Sequence, residues 1–150
     1  MATTTLRETA TAVETEAAGE ELGKRLRKGD LLLLKGDLGA GKTTFVRGLA
    51  RGCGSDELVA SPTFQLVRIY RGRIQLAHVD LYRLESAGEV RDLGLEELLD
   101  EGAVVVEWGD RIDSPDSALI SIEHLGGNRR RLHVERSLPP FRGEGRGEGR

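Results

Sequence analysis

Cysteine is nearly missing from this 150-residue chain: Cys53 is the only one, so neither an internal disulfide nor a Cys-type zinc site can form. A lone thiol fits a reducing compartment, and the cytoplasm is the expected location. Long apolar runs are missing too. No aliphatic stretch exceeds four residues, far short of the span a membrane helix needs, and the opening "MATTTLRETATAVETEAAGEEL" lacks the basic-then-apolar layout of a signal peptide. There is also no excess of positive charge. Lys and Arg number 22 against 25 Asp and Glu, for a net charge of -3, so no global field holds a nucleic-acid backbone and any RNA connection needs a partner or a local patch. Guanine-recognition signatures are absent as well: no Asp has Gly three residues later, and the sole asparagine, Asn128, precedes Arg.

What remains is the length of one domain with an ordinary apolar share, and hence one modest core. Residues 1–137 are expected to form that domain. Residues 138–150, in which "RGEGRGEGR" repeats with little apolar content, are expected to be a disordered tail. Ala18, Leu22 and Leu26 recur at helical spacing up to Gly29 and predict a helix over about Thr15–Arg27. "DLLLLKG" is a short aliphatic run bounded by turn residues, as in a strand buried on both faces of a parallel sheet. Phe45, Val46, Leu49, Ala50 and Cys53 then trace one face of a second helix.

Farther on, "FQLVRIY" and "RIQLAHVD" predict one hairpin, and "ALISIEHL" and "RRRLHVER" around "GGN" predict another. "ESAGEVRDLGLEELLDEG" reads as one or two short helices, broken at Gly94 and stopped at Gly102, and "AVVVE" reads as a second buried strand. The class is α/β: a single domain with a central, mostly parallel sheet, antiparallel hairpins and flanking helices.

The chemistry concentrates at "GDLGAGKTTF". Gly36-x-x-x-x-Gly41-Lys42-Thr43 matches the phosphate-binding P-loop and sits in the required strand-to-helix position. Its glycines let backbone N–H groups turn around an anion at a helix N-terminus. Lys42 would reach the β- and γ-phosphates, and the Thr43 hydroxyl would ligate Mg²⁺. Such a loop needs a carboxylate at the end of a neighbouring buried strand. Glu107, closing "AVVVE", is the better metal partner because its strand reads as buried on both faces; Asp80, closing "LAHVD", is then free to orient water or a switch segment.

Other residues carry weaker signals. "SPTF" (61–64) lies where P-loop proteins often carry a γ-phosphate-sensing segment, yet by itself it is ordinary loop chemistry. Trp108, the sole tryptophan, reads first as a core anchor. Arg129, Arg130 and Arg131 beside "GGN" suit a solvated hairpin end, an anion contact or a partner surface. His78, His124 and His133 show no ligand spacing and read as structural.

"GDLGAGKTTF", "SPTF", "HVDLYRL" and "VVVEWGDR", in that order, resemble the TsaE (YjeE) family of small bacterial P-loop ATPases over about Val13–Glu135. The resemblance implies a role in forming threonylcarbamoyladenosine beside the anticodon of tRNAs that read codons beginning with adenine. It implies an accessory that binds TsaD- and TsaB-like proteins, meets tRNA only through that complex, and uses ATP with Mg²⁺. Carried onto this chain, Leu38, Gly39, Ala40, Gly41, Lys42, Thr43 and Thr44 would hold the phosphates, Thr43 and Glu107 the metal, and Asp80 would serve activity. Thr15 fits the family's T-x-x-x-G near the nucleotide, and Trp108 follows the metal glutamate as in the family. The nucleotide-contacting arginine is assigned to Arg129, with Arg130 the alternative because Asn128 interrupts the family's Gly-Arg turn. A small-metabolite or nucleotide kinase is the competing class, but it needs a lid with several arginines, and the only stretch in place for one is short and acidic.

Overall fold

Four leucines in a row, Leu31–Leu34, form a strand with apolar material on both faces, and the rest of the fold is arranged around it. The computed structural model describes residues 4–36, 41–57, 67–80, 94–107 and 117–136. The chain runs β1 (Thr4–Thr9), α1 (Ala12–Gly23), β2 (Leu31–Lys35), α2 (Lys42–Gly52), β3 (Val67–Tyr70) and β4 (Gln75–Asp80). It continues through α3 (Leu95–Glu101), β5 (Gly102–Glu107), β6 (Ala118–Gly126) and β7 (Arg129–Arg136). The strands form one sheet in the order β1-β7-β6-β2-β5-β4-β3. At its centre β6, β2, β5 and β4 run parallel; β3 and β7 fold back as hairpin partners, and β1 pairs antiparallel with β7.

The period of two along each central strand sorts the core into two layers. Leu32, Leu34 and Val105 face α1 and α2, where Ala18, Phe45, Val46 and Leu49 meet them. Leu31, Leu33, Val104 and Val106 face the other way, onto Leu95, Leu98 and Leu99 of α3. Both hairpins and the "AVVVE" strand appear where the sequence puts them.

The first helix departs from expectation at both ends. It spans Ala12–Gly23 instead of Thr15–Arg27, because Thr11 caps it by accepting the Glu14 N–H at 3.2 Å while the Glu14 carboxylate accepts the Ala10 N–H at 2.8 Å. Leu26 is buried as expected, but from the turn after the helix. β1 was not anticipated at all. Of the short helices expected across "ESAGEVRDLGLEELLDEG", only α3 falls within the described residues, as does none of the expected tail over 138–150.

α1 and α2 lie backbone to backbone. A Cβ on Gly48 would overlap the Glu16 carbonyl oxygen and sit 2.8 Å from Glu20 N; Gly52, Gly19 and Gly23 are similarly crowded by the opposite helix's backbone. At the far end of this pair, Arg73, from the β3–β4 turn, donates to carbonyls that close both helices. Its guanidinium reaches Gly23 O at 3.0 Å, Leu26 O at 3.3 Å, and Lys24 O and Gly52 O at 3.4 Å. Gly23, Lys24 and Gly52 stand at the helix C-termini, where carbonyls lack the next turn's N–H, and Leu26 belongs to the turn that follows α1.

Cys53 is buried beneath this contact, and burial pushes its thiol from an ordinary 9.0 up to about 11, with the Arg73 charge acting in the opposite direction. The thiol holds its proton in the fold at a pH where the unfolded chain has lost it. The resulting stabilisation is complete below pH 9.0 and is lost as pH rises towards 11. At pH 8 the folded protein is expected to react with Ellman's reagent about 100-fold more slowly than the urea-unfolded chain, from the thiolate fraction alone. Equal rates would show that the thiol is accessible.

Candidate functional site

The motif that begins at Gly36 leaves β2 and enters α2. Gly41 is the N-cap of α2, at φ 101° and ψ 16°, a left-handed conformation that glycine adopts without strain, and no side chain caps the helix there. The first-turn N–H groups of α2 therefore point out of the helix end, where an anion is favoured. Lys42 is only 5% exposed, and its Nζ donates to the Gly36 carbonyl at 2.6 Å, which ties the last part of the motif to its first residue. Thr43 and Thr44 follow in the same turn, both half-buried. Leu38, Gly39 and Ala40 lie outside the described residues.

The parallel register brings the strand-end carboxylates to this loop. Leu34 of β2 stands opposite Glu107 of β5, and Glu107 stands opposite Asp80 of β4. All lie at the carboxyl edge of the parallel strands, where α/β sheets place their ligands. Glu107 is 4% exposed, so the surrounding core fixes its direction, and its Oε2 lies 2.5 Å from Nε2 of the fully buried His78. Asp80 is half-buried. Sequence reading treated His78 as structural and missed this contact. Period two along β4 was the available signal, since it puts His78 on the same face as Asp80.

On the other flank, Ala12 and Thr15 of α1, Gly41 and Thr44 of the loop and helix, and Asn128 and Arg130 of the β6–β7 turn line one hollow. Thr15 is buried, with its hydroxyl 2.7 Å from that of Thr9 and 3.3 Å from the Thr11 carbonyl, so β1 and the helix cap hold it in place. The arginine beside the loop is Arg130: a Cβ on Gly41 would come 3.2 Å from its Nε. Arg130 Nη1 donates to Gly127 O and Arg129 O, both at 2.9 Å, which bends the guanidinium back over the turn. Arg129 is exposed and does not line the hollow. Arg131 instead reaches across the sheet to Glu8 of β1 and Glu123 of β6, its partners on either side. Trp108 and "SPTF" lie outside the described residues.

Among the described residues no three His, Cys, Asp or Glu side chains are grouped to hold a metal by themselves. The Thr43 hydroxyl and the Glu107 carboxylate offer oxygen donors, the ligand type that Mg²⁺ takes. No helix among the described residues is long and apolar enough to cross a membrane.

A P-loop between strand and helix, on a parallel sheet that sets an acidic residue beside the loop's own strand, defines a P-loop NTPase-type protein. Residues 9–133 match the family model described as threonylcarbamoyl adenosine biosynthesis protein TsaE. The chain is 41% identical over 127 residues to the tRNA threonylcarbamoyladenosine biosynthesis protein TsaE of Treponema pallidum, covering 82% of this chain and 94% of that one. It is also 41% identical over 124 residues to the Bacillus subtilis protein of that name, covering 79% and 77%. The crystal structure of Bacillus subtilis YdiB superposes with a TM-score of 0.77 at 30% identity, covering 99% of this chain and 95% of that chain. The chain belongs to the TsaE family of tRNA threonylcarbamoyladenosine biosynthesis proteins.

Proposed function

We propose that this protein binds and hydrolyses ATP with Mg²⁺, and that it does so as an accessory to TsaD- and TsaB-like proteins that form threonylcarbamoyladenosine on tRNA. The observation that carries the reading is the register of Leu34 with Glu107, which sets a buried acid beside the strand that feeds the P-loop. Family membership supplies the pathway. Phosphate oxygens would be held by backbone N–H groups of residues 38–44 and by Lys42, whose ammonium already lies at the loop's base on Gly36. Thr43 and Glu107 would hold Mg²⁺, which when bound neutralises charge on the β- and γ-oxygens. Asp80 would orient the water that attacks the γ-phosphorus as the bond to the bridging oxygen breaks, giving ADP and phosphate. Thr15 and Arg130 border the hollow next to Thr44, which suits the rest of the nucleotide. A net charge of -3 suits an accessory that meets tRNA through its partners.

The test is tRNA modification reconstituted with TsaD, TsaB and the threonylcarbamoyl donor, with and without this protein and ATP. Repeated rounds that require both are the expected result. Unchanged output without this protein refutes the accessory role. Glu107→Ala is expected to abolish the Mg²⁺-dependent part of phosphate release, measured in a Mg²⁺ titration. Full retention would transfer the metal role to Asp80.

A further inference from the structure

Glu107 is useful to a nucleotide-borne cation only if its carboxylate is held still, and the residue that holds it comes from the neighbouring strand. β4 and β5 are parallel, with Asp80 beside Glu107 and His78 beside Val105, so His78 lies diagonal to Glu107 on the same face. His78 is fully buried, and its Nε2 is 2.5 Å from Glu107 Oε2. A carboxylate only accepts hydrogen bonds, so Nε2 carries the proton and donates. Nδ1 is buried and without a hydrogen-bond partner among the described residues. Tyr70, itself buried, packs beside the imidazole with ring centroids 6.4 Å apart and planes inclined at 34°.

An aliphatic side chain would fill this space without stranding a polar atom, so burying the imidazole carries a cost that packing alone does not explain. What offsets that cost is the bond to Glu107. In metal sites, a partner that hydrogen-bonds one atom of a ligand orients the remaining atom towards the ion. We propose that His78 is a positioning residue: its Nε2–H holds one oxygen of Glu107 so that the other faces the divalent cation of a bound nucleotide. This rests on the nucleotide reading above and goes beyond it by giving His78 a role through Glu107.

Two polar substitutions separate positioning from mere filling. His78→Gln can place an N–H where Nε2 stands, whereas His78→Asn ends near the position of Nδ1 and cannot reach Glu107. The full chain and each variant are titrated with ADP by calorimetry, once in EDTA and once with Mn²⁺, and bound Mn²⁺ is counted by electron paramagnetic resonance. Expected is ADP affinity in EDTA unchanged in both variants, Mn²⁺ affinity of the ADP complex 10- to 100-fold weaker in His78→Asn, and recovery to within a few-fold in His78→Gln. His78→Leu, which fills the space without a donor, is expected to match His78→Asn. Equal Mn²⁺ affinities in Asn and Gln variants, or no loss in either, would overturn the assignment. Failure of the unsubstituted protein to bind ADP at all would instead refute the nucleotide reading and take the positioning role with it. ADP binding that Mn²⁺ does not strengthen would leave nucleotide binding intact and refute only the cation role of Glu107 and His78.

Discussion

Lys42→Ala is expected to lower ATP turnover by a factor on the order of 10²–10³ while leaving the melting temperature nearly unchanged. The factor is that for loss of one preorganised charge aimed at a developing phosphoryl charge, about 3–4 kcal/mol of transition-state stabilisation. The fold is expected to survive because Lys42 occupies the first turn of α2, where alanine suits the helix, and because its removal takes away a buried charge and leaves no apolar hole. Lys42→Arg should recover little, since a planar fork does not replace a compact ammonium folded onto the Gly36 carbonyl. Phosphate release by both variants, followed alongside thermal unfolding, checks this. Unchanged turnover in Lys42→Ala would mean that hydrolysis takes place elsewhere.

The second large effect is on stability. Gly48→Ala improves intrinsic helix propensity by about 1 kcal/mol, and from helix rules alone it is a stabilising change. The contact with α1 reverses the sign. The new methyl would overlap the Glu16 carbonyl oxygen and lie 2.9 Å from its carbon, and both are backbone atoms that cannot rotate aside. The helices must part, and the interdigitation of Phe45 and Leu49 with the sheet is lost with them. The expected net loss is at least about 3 kcal/mol, a large share of the roughly 5–15 kcal/mol that holds a domain of this size together. Urea unfolding measures it, with Val13→Ala as the control; Val13 is 78% exposed, and its truncation should change stability by no more than about 0.5 kcal/mol. A Gly48→Ala protein as stable as the parent would show that the helices have room to spare.

Much of this fold was legible because its central signals are local. Leu31–Leu34 and Ala103–Val106 declare buried strands, the glycine motif marks the loop between strand and helix, and "RG" and "GGN" mark the turns. β1 was not legible for a physical reason. As an edge strand paired only with β7, interrupted by a register shift between Thr5 and Arg7, it has one aliphatic residue and shows no alternation. Its run of β-branched threonines was the available hint. The start of α1 was written in Thr11-x-x-Glu14, a capping pattern that the spacing of Ala18, Leu22 and Leu26 overshadowed.

At the site, the pairing of Glu107 with the P-loop strand followed from run composition. Which of Arg129 and Arg130 borders the hollow did not, because one inserted residue in a turn changes which neighbour points inward, and it is Arg130 that lines the hollow. The link from His78 to Glu107 joins residues 29 apart and depends on strand order, which no local pattern encodes.

The crowded glycines of α1 and α2 and the guanidinium fastened across their ends make these two helices one lever instead of two. One arm of it carries Thr15 at the hollow and the other begins with Lys42 at the base of the loop. Moving either helix against the sheet therefore means moving the other, so the hollow's wall and the loop's base share one rigid support.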